Sequence, residues 1–247
     1  MKTFVKSSFT LLIVLLLLVV CITSCKEKTK TSPAQETGTV TDVDNTVYKT
    51  VKIGNQWWMA EDLNVKKYRN GDYINQIQTD TALWSHDTSG AYCDNKDNGG
   101  NLIGRFYNWY AVANSKNIAP SGWHIPSDEE WKTLEKYLGM ISIDANKTGW
   151  RGTGEGDQLK LKAPEGWSIY DKVWGTNESG FSAVANGCRL FNGANGDPGQ
   201  FATGFWWSVS DNNLSEAWYR YLDYKNSNVF RSHTFKNYGF CIRCVKD

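Results

Sequence analysis

Histidine is scarce in this 247-residue chain: His86, His124 and His233 stand far apart, and no two have the spacing of a His-x-x-x-His metal site. Charge of one sign is scarce too. Twenty-seven Lys and Arg face twenty-six Asp and Glu, a formal net charge of +1, which leaves no basic footprint for nucleic acid. The chain has no Ser elbow, phosphate loop or dinucleotide fingerprint. Glu129 and Glu130 are adjacent on a predicted helix, so they do not converge on one point as a catalytic carboxylate pair would. The longest apolar run, Leu11 to Ile22, falls short of the ~20 residues that span a bilayer. No internal repeat is visible. These absences favour a binding module over an enzyme.

The N-terminus has a clear signature. Lys2 and Lys6 precede the apolar run, which ends Ile22-Thr23-Ser24-Cys25. A basic start, an apolar stretch and small residues at its end form a cleaved export signal. The ending resembles the bacterial lipobox, in which the cysteine takes a diacylglyceryl thioether and becomes the new N-terminus. Residues 1–24 are thus read as signal peptide and Cys25 as the lipidated residue. Acyl chains anchor because each buried methylene contributes about 0.8 kcal/mol. Removal of 24 residues leaves 223 (247 − 24), and loss of two Lys takes the net charge from +1 to −1. Lys26, rather than Asp, follows Cys25, as in lipoproteins sorted to the outer membrane. Residues 25–45 are polar and rich in Thr, Ser and Lys, so they read as a flexible tether.

Residues 46–247 differ in composition and hold all twelve Trp. Their number suits one domain with a sizeable core. Val47 to Ile53 alternates apolar and polar residues, Gly54-Asn55 makes a turn, and Gln56 to Ala60 returns, which predicts a β-hairpin. Residues 66–104 read as long loop, and Phe106 to Ala113 as a buried helix or strand. Ser127 to Gly139 is the clearest helix: Ser127 caps it, Glu130 completes a capping box, and Trp131, Leu134 and Leu138 form its apolar stripe. Strands are predicted at Phe181–Leu190, Phe205–Val209, Ala217–Asp223, Val229–Thr234 and Gly239–Val245. The expected class is α+β, loop-rich, with early helices packed on a late, mostly antiparallel sheet.

Three stretches together resemble the Fibrobacter succinogenes major paralogous domain, a family of exported bacterial proteins. They are Tyr48-Lys49-Thr50-Val51-Lys52-Ile53-Gly54-Asn55-Gln56-Trp57-Trp58-Met59-Ala60-Glu61-Asp62-Leu63-Asn64; Tyr107-Asn108-Trp109-Tyr110-Ala111-Val112 with Pro120-Ser121-Gly122-Trp123-His124-Ile125-Pro126-Ser127-Asp128-Glu129-Glu130-Trp131; and the ending Gly239-Phe240-Cys241-Ile242-Arg243-Cys244-Val245-Lys246-Asp247. The middle stretch is also similar to the formylglycine-generating enzymes, which implies a C-type lectin-like fold. Fold does not give function. The lectin tripeptide Glu-Pro-Asn is absent.

Cys93, Cys188, Cys241 and Cys244 remain after Cys21 and Cys25, allowing three pairings. Cys241 and Cys244 lie at i and i+3 of a predicted strand and face opposite sides, so they do not pair with each other. The family resemblance implies Cys188–Cys241, because the family carries other residues at both places, and leaves Cys93 with Cys244. No cofactor is indicated except calcium as a candidate: Asp94, Asp97 and Asn98 lie in a Gly-bent loop, although Lys96 departs from the EF-hand pattern. Ligand contact is expected from the aromatic late half, with Trp207, Trp218 and Tyr219 as candidates. In Phe205-Trp206-Trp207, strand alternation places Trp206 in the core and Trp207 on the opposite face.

The chain is therefore expected to be a non-catalytic, lectin-fold lipoprotein of the outer membrane, facing periplasm or cell surface and binding a glycan or protein. The rival classes are an oxidoreductase or hydrolase on the same fold, and a purely structural surface protein. Nucleic acid is not an expected partner. Cys25→Ala is expected to leave the protein unlipidated and released from membranes. Mass spectrometry of the wild type showing an unmodified N-terminus downstream of Cys25 would contradict the anchor.

Overall fold

The structure is a computed structural model that describes residues 35–97, 99–171, 175–196 and 202–247. Cys25 and the signal peptide lie outside these residues. In chain order the elements are β1 (Thr37–Thr41), β2 (Val47–Ile53), β3 (Gln56–Met59), β4 (Asn75–Gln76), α1 (Thr81–His86), β5 (Ala91–Lys96), β6 (Leu102–Tyr107), α2 (Trp109–Val112), β7 (Trp123–His124), α3 (Asp128–Tyr137), α4 (Ser142–Ala145), β8 (Gly149–Arg151), α5 (Glu155–Leu159), β9 (Thr203–Asp211), β10 (Glu216–Asp223), β11 (Asn226–Phe235) and β12 (Val245–Lys246). They form three sheets, ordered β1-β2-β3-β12-β7, β8-β11-β10-β9 and β4-β5-β6. Pairing is antiparallel throughout except for β4 with β5.

The predicted hairpin is β2–β3, closed in register from Thr50↔Met59 to Ile53↔Gln56. Gly54 makes its turn at φ +61, where an added Cβ would meet the Tyr137 ring at 2.7 Å. The helix α3 begins at Ser127 with the full capping box. Phe205–Val209, Ala217–Asp223 and Val229–Thr234 lie within β9, β10 and β11. The strand expected at Gly239–Val245 is corrected: only Val245 is in a strand, β12, while Gly239, Phe240 and Cys241 make isolated bridges to three different segments.

Four further expectations need correction. The range expected to be tether, 25–45, includes β1, which pairs with β2 from Thr37↔Val51 to Thr41↔Val47. Thr-rich backbone can add an edge strand without a large apolar side chain. The loop expected at 66–104 contains α1, β4, β5 and the start of β6; these elements are too short for their periodicity to show. Phe181–Leu190 is not a strand but makes isolated bridges, such as Lys160↔Ala183 and Arg189↔Gly239, because Ser182 (φ 55) and Gly187 (φ 68) turn the chain out of extension. The sheet is also not late alone, since β1 to β3 join β12 and β7 in one sheet. The fold is mostly antiparallel sheet with a few short helices among the described residues.

Two clusters make the core. In the first, Trp58 of β3 packs on Trp131 of α3 at 4.9 Å between ring centroids, and Phe181 contacts Trp58, Trp131 and Trp206. The second gathers Tyr107, Trp109, Trp207 and Phe240.

Helix α3 faces β8, β11, β10 and β9 with charge as well as apolar surface. Asp128, Trp131 and Glu135 share one stripe and are all buried. Glu135 accepts from Arg151 (2.6 and 2.7 Å) and from Arg220 Nε (2.5 Å). Asp128 accepts from Arg220 Nη1 (2.8 Å) and from Arg231 (2.9 and 2.7 Å). Burial alone would raise the Asp128 carboxyl, but Arg231 and Arg220 outweigh it and hold it down to about 2. Its contribution to stability is thus present above about pH 4 and is lost as pH falls toward the folded value.

Such a cluster need not stabilise more than an apolar one would, but removing one partner strands charges in the interior. Glu135→Ala leaves Arg151 and Arg220, with side chains 0% and 1% exposed, without this shared acceptor. The expected loss is about 3–5 kcal/mol, read from denaturant unfolding. A loss below about 1 kcal/mol, the range of surface pairs, would contradict the role given to Glu135.

Candidate functional site

Side chains alternate across β8 to β11. Arg151, Trp206, Arg220, Leu222, Val229 and Arg231 point to α3 and the core, and all are buried. The other face carries aromatic rings. Register places four of them directly opposite one another: Trp150↔Phe230, Phe230↔Tyr221 and Tyr221↔Phe205. Their centroids are 5.2, 5.7 and 4.6 Å apart, and Phe205 and Tyr221 are stacked within 11°. Phe240 continues the row, 5.1 Å from Phe205 at 16°. Strands lie about 4.8 Å apart, so the row across four of them runs about 15 Å. Cross-strand aromatic pairs stabilise a sheet by about 0.2–1 kcal/mol each, but that does not require exposure. Trp150 is 39% exposed, and Phe205, Tyr221 and Phe230 are partly exposed.

The candidate residues fall differently on this face. Trp207 does share it with Phe205, but it is 0% exposed, so the expectation that it is a ligand contact is corrected. The C-terminal segment crosses over it: Cys241 bridges Trp206, Phe240 lies 4.3 Å from the Trp207 ring, and Trp207 Nε1 donates to the Tyr107 carbonyl at 2.8 Å. Alternation reports which face a side chain takes, not what covers that face. Trp206 is core, as expected, at 1% exposure. Tyr219 is half-buried beside Phe205 and Phe240 at 6.2 and 5.1 Å, with its phenol pushed up to about 12 by burial and then by Tyr238 and Cys188. Trp218 lies on the α3 side of the sheet, under the Arg231 guanidinium at 3.7 Å and edge-on to His233. Trp150 was missed because β8 is three residues long, too short for its alternation to be read; Tyr221 and Phe230 lie in predicted strands, but alternation alone does not show that they align across the sheet with Trp150 and Phe205.

The expected disulfides are also corrected. No disulfide joins Cys188 to Cys241 or Cys93 to Cys244, and all four are buried. Cys93 and Cys241 pack in the first cluster, Cys188 and Cys244 in the second, so each expected pair is divided between clusters. Burial pushes the Cys93, Cys241 and Cys244 thiols up, which keeps them protonated and unreactive. In the calcium candidate, Asp94 pairs with Arg105 at 2.8 Å. Asp97 accepts from Gly99, Asn101 N and Asn101 Nδ2, closing its own turn. Asn98 lies outside the described residues. No three His, Cys, Asp or Glu side chains cluster as metal ligands among the described residues.

A polar clasp joins the first and last signature stretches. Asp62 accepts from Trp206 Nε1 (2.9 Å), Arg243 Nε (2.5 Å) and Asn186 Nδ2 (2.6 Å). Arg243 also donates to the Phe181 and Ser182 carbonyls. Asp62, Asn186 and Arg243 line a groove of about 470 Å³ whose apolar side includes Val47, Ile103 and Val184. A second concavity of about 430 Å³ shares Thr46 and Asn64 with it.

The chain belongs to the Fibrobacter succinogenes major domain family, whose model matches residues 51–246. No curated protein and no solved structure matches it. No helix among the described residues is long and apolar enough to cross a membrane.

His124 ties the capping box to the last residue, meeting Glu130 at 2.8 Å through Nε2 and Asp247 at 2.6 Å through Nδ1. Burial pulls its pKa down, but the two carboxylates outweigh this and raise it above the ordinary histidine value. The stabilisation is full below about pH 6.5 and fades as pH rises through the folded value. His124→Gln is therefore expected to destabilise more at about pH 6 than at about pH 9, in denaturant titrations. An equal gap at both would contradict the ion pairs.

Proposed function

We propose that this protein is a lipid-anchored outer-membrane lipoprotein whose domain binds a glycan, without catalysis, along the aromatic row. The observation that carries the reading is the register Trp150–Phe230–Tyr221–Phe205, which brings four rings to one partly exposed line on a sheet. A sugar ring has an apolar face of C–H bonds that packs on an aromatic ring, and such contacts give affinity without a charged site. A glycan chain is linear and repeats its rings, which suits a row rather than a pit. The opposite face of the same sheet is fixed by α3, so the platform is held rigid before the ligand arrives, which lowers the entropic cost of binding. The Cys25 signature supplies the anchor that would hold such a module at a surface.

The test uses the full-length chain on a glycan array, then titration of the best glycan. Trp150→Ala and Tyr221→Ala are each expected to weaken binding about 5- to 10-fold, the effect of about 1–1.4 kcal/mol of stacking. Trp218→Ala, on the other side of the sheet, is expected to leave affinity unchanged. Binding that is indifferent to both row variants would contradict the proposal.

A further inference from the structure

Six arginines are buried: Arg105, Arg151, Arg189, Arg220, Arg231 and Arg243. Five of them meet a carboxylate at 2.5–2.8 Å, through Asp94, Glu135, Asp128 or Asp62. The buried lysines Lys132, Lys160 and Lys236 likewise face Glu129, Asp157 and Asp211. Arg189 is the exception. It is 5% exposed and has no carboxylate partner among the described residues. A buried charge without a counter-charge is costly, and the rest of the chain avoids it.

What holds Arg189 in place is neutral. Nε donates to the Gly193 carbonyl at 3.0 Å and Nη1 to the Ile77 carbonyl. The Trp84 ring centre lies 4.2 Å from the guanidinium carbon. These contacts fix the plane of the guanidinium but bring no negative charge. The Cys93 thiol beside it brings none either, because burial pushes it up by more than Arg189 pulls it down. The remaining nitrogen, Nη2, makes no hydrogen bond among the described residues, and it is not one of the side-chain atoms shut off from solvent. Arg189 lines a cavity of about 220 Å³ together with Gln78, Asp94, Asn95 and Lys96. Its free edge is thus held rigid and open to that cavity.

We infer that this cavity binds a small organic carboxylate, which accepts from Arg189 Nη2. Charge sets the class. One uncompensated cation calls for one negative charge, and Asp94 on the same wall, already paired with Arg105, disfavours a dianion. Size sets the scale. The cavity is far larger than the ~30 Å³ of one water and smaller than the ~300–1,000 Å³ of drug-sized pockets. The walls are fixed before the ligand arrives, which lowers the cost of binding: Gln78 bonds the Asp94 backbone in both directions (2.9 and 2.8 Å), and Asn95 Nδ2 donates to the Asn186 carbonyl at 2.7 Å. Lys96 is exposed at the edge of the cavity and draws anions toward it. The cavity shares no lining residue with the aromatic row or with the two concavities above, so this site and the glycan reading stand independently.

The experiment follows thermal unfolding of the full-length chain as acetate, propionate or glycolate is added. Each is compared with its own amide, at one ionic strength set with sodium chloride. The carboxylates are expected to raise Tm with concentration, as ligands of the folded state do. Their apparent affinity is expected to exceed that of the amides by about tenfold or more, the effect of a hydrogen bond between charged groups. Arg189→Lys keeps the charge and loses the planar fork, and is expected to remove most of that advantage. Lys96→Glu, on the surface, is expected to leave Tm without ligand unchanged and to weaken carboxylate binding, more so at low salt; it decides the matter if Arg189→Lys does not fold. Equal shifts from carboxylates and amides, or none from either, would overturn the inference. So would a shift that chloride alone reproduces, which means an inorganic ion only, or carboxylate affinity that Lys96→Glu and a folded Arg189→Lys leave intact.

Discussion

Two carboxylates on one helix, Asp128 and Glu135, organise the late half of the molecule. Between them they accept hydrogen bonds from Arg151, Arg220 and Arg231, which come from β8, β10 and β11. Apolar packing alone would let a helix slide or turn on a sheet; bidentate guanidinium–carboxylate pairs define both its height and its rotation. With α3 seated, the charged face of the sheet is consumed and its aromatic face is left outward. The row Trp150–Phe230–Tyr221–Phe205 thus depends on an interaction that lies on the other side of the same strands.

The Asp62–Arg243 clasp performs a similar task elsewhere. It joins the stretch after the first hairpin to the C-terminal segment and takes in Trp206 from β9. That segment carries Phe240 over Trp207 and closes the second core cluster. The family's signature stretches are therefore read here mainly as structure: Asp62, Trp131, Phe240 and Arg243 are all buried. The partly exposed rings Trp150, Tyr221 and Phe230 lie outside these stretches.

Local signals in the sequence were legible where a single element carries its own rule. Ser127 and Glu130 announce a helix start, Gly54-Asn55 announces a turn, and alternation finds β9 to β11. Long-range facts were not. Nothing local says that Phe240 will cross above Trp207, so the ring predicted to be exposed is core. Nothing in Gly149-Trp150-Arg151 says that three residues will pair with β11 and complete the row. The cysteines show the same limit, since pairing reasons suggested by the family cannot see that the partners pack in separate clusters. Positive φ at Ser182 likewise hides from a pattern that reads only polarity.

A structure of the domain with a bound oligosaccharide tests the central claim most directly. The account predicts a sugar ring in van der Waals contact with Trp150, Tyr221 or Phe205, about 3.5–4.0 Å away, and an α3 interface unchanged from that described above. Saccharide bound away from these rings, with the row exposed to solvent, would contradict it.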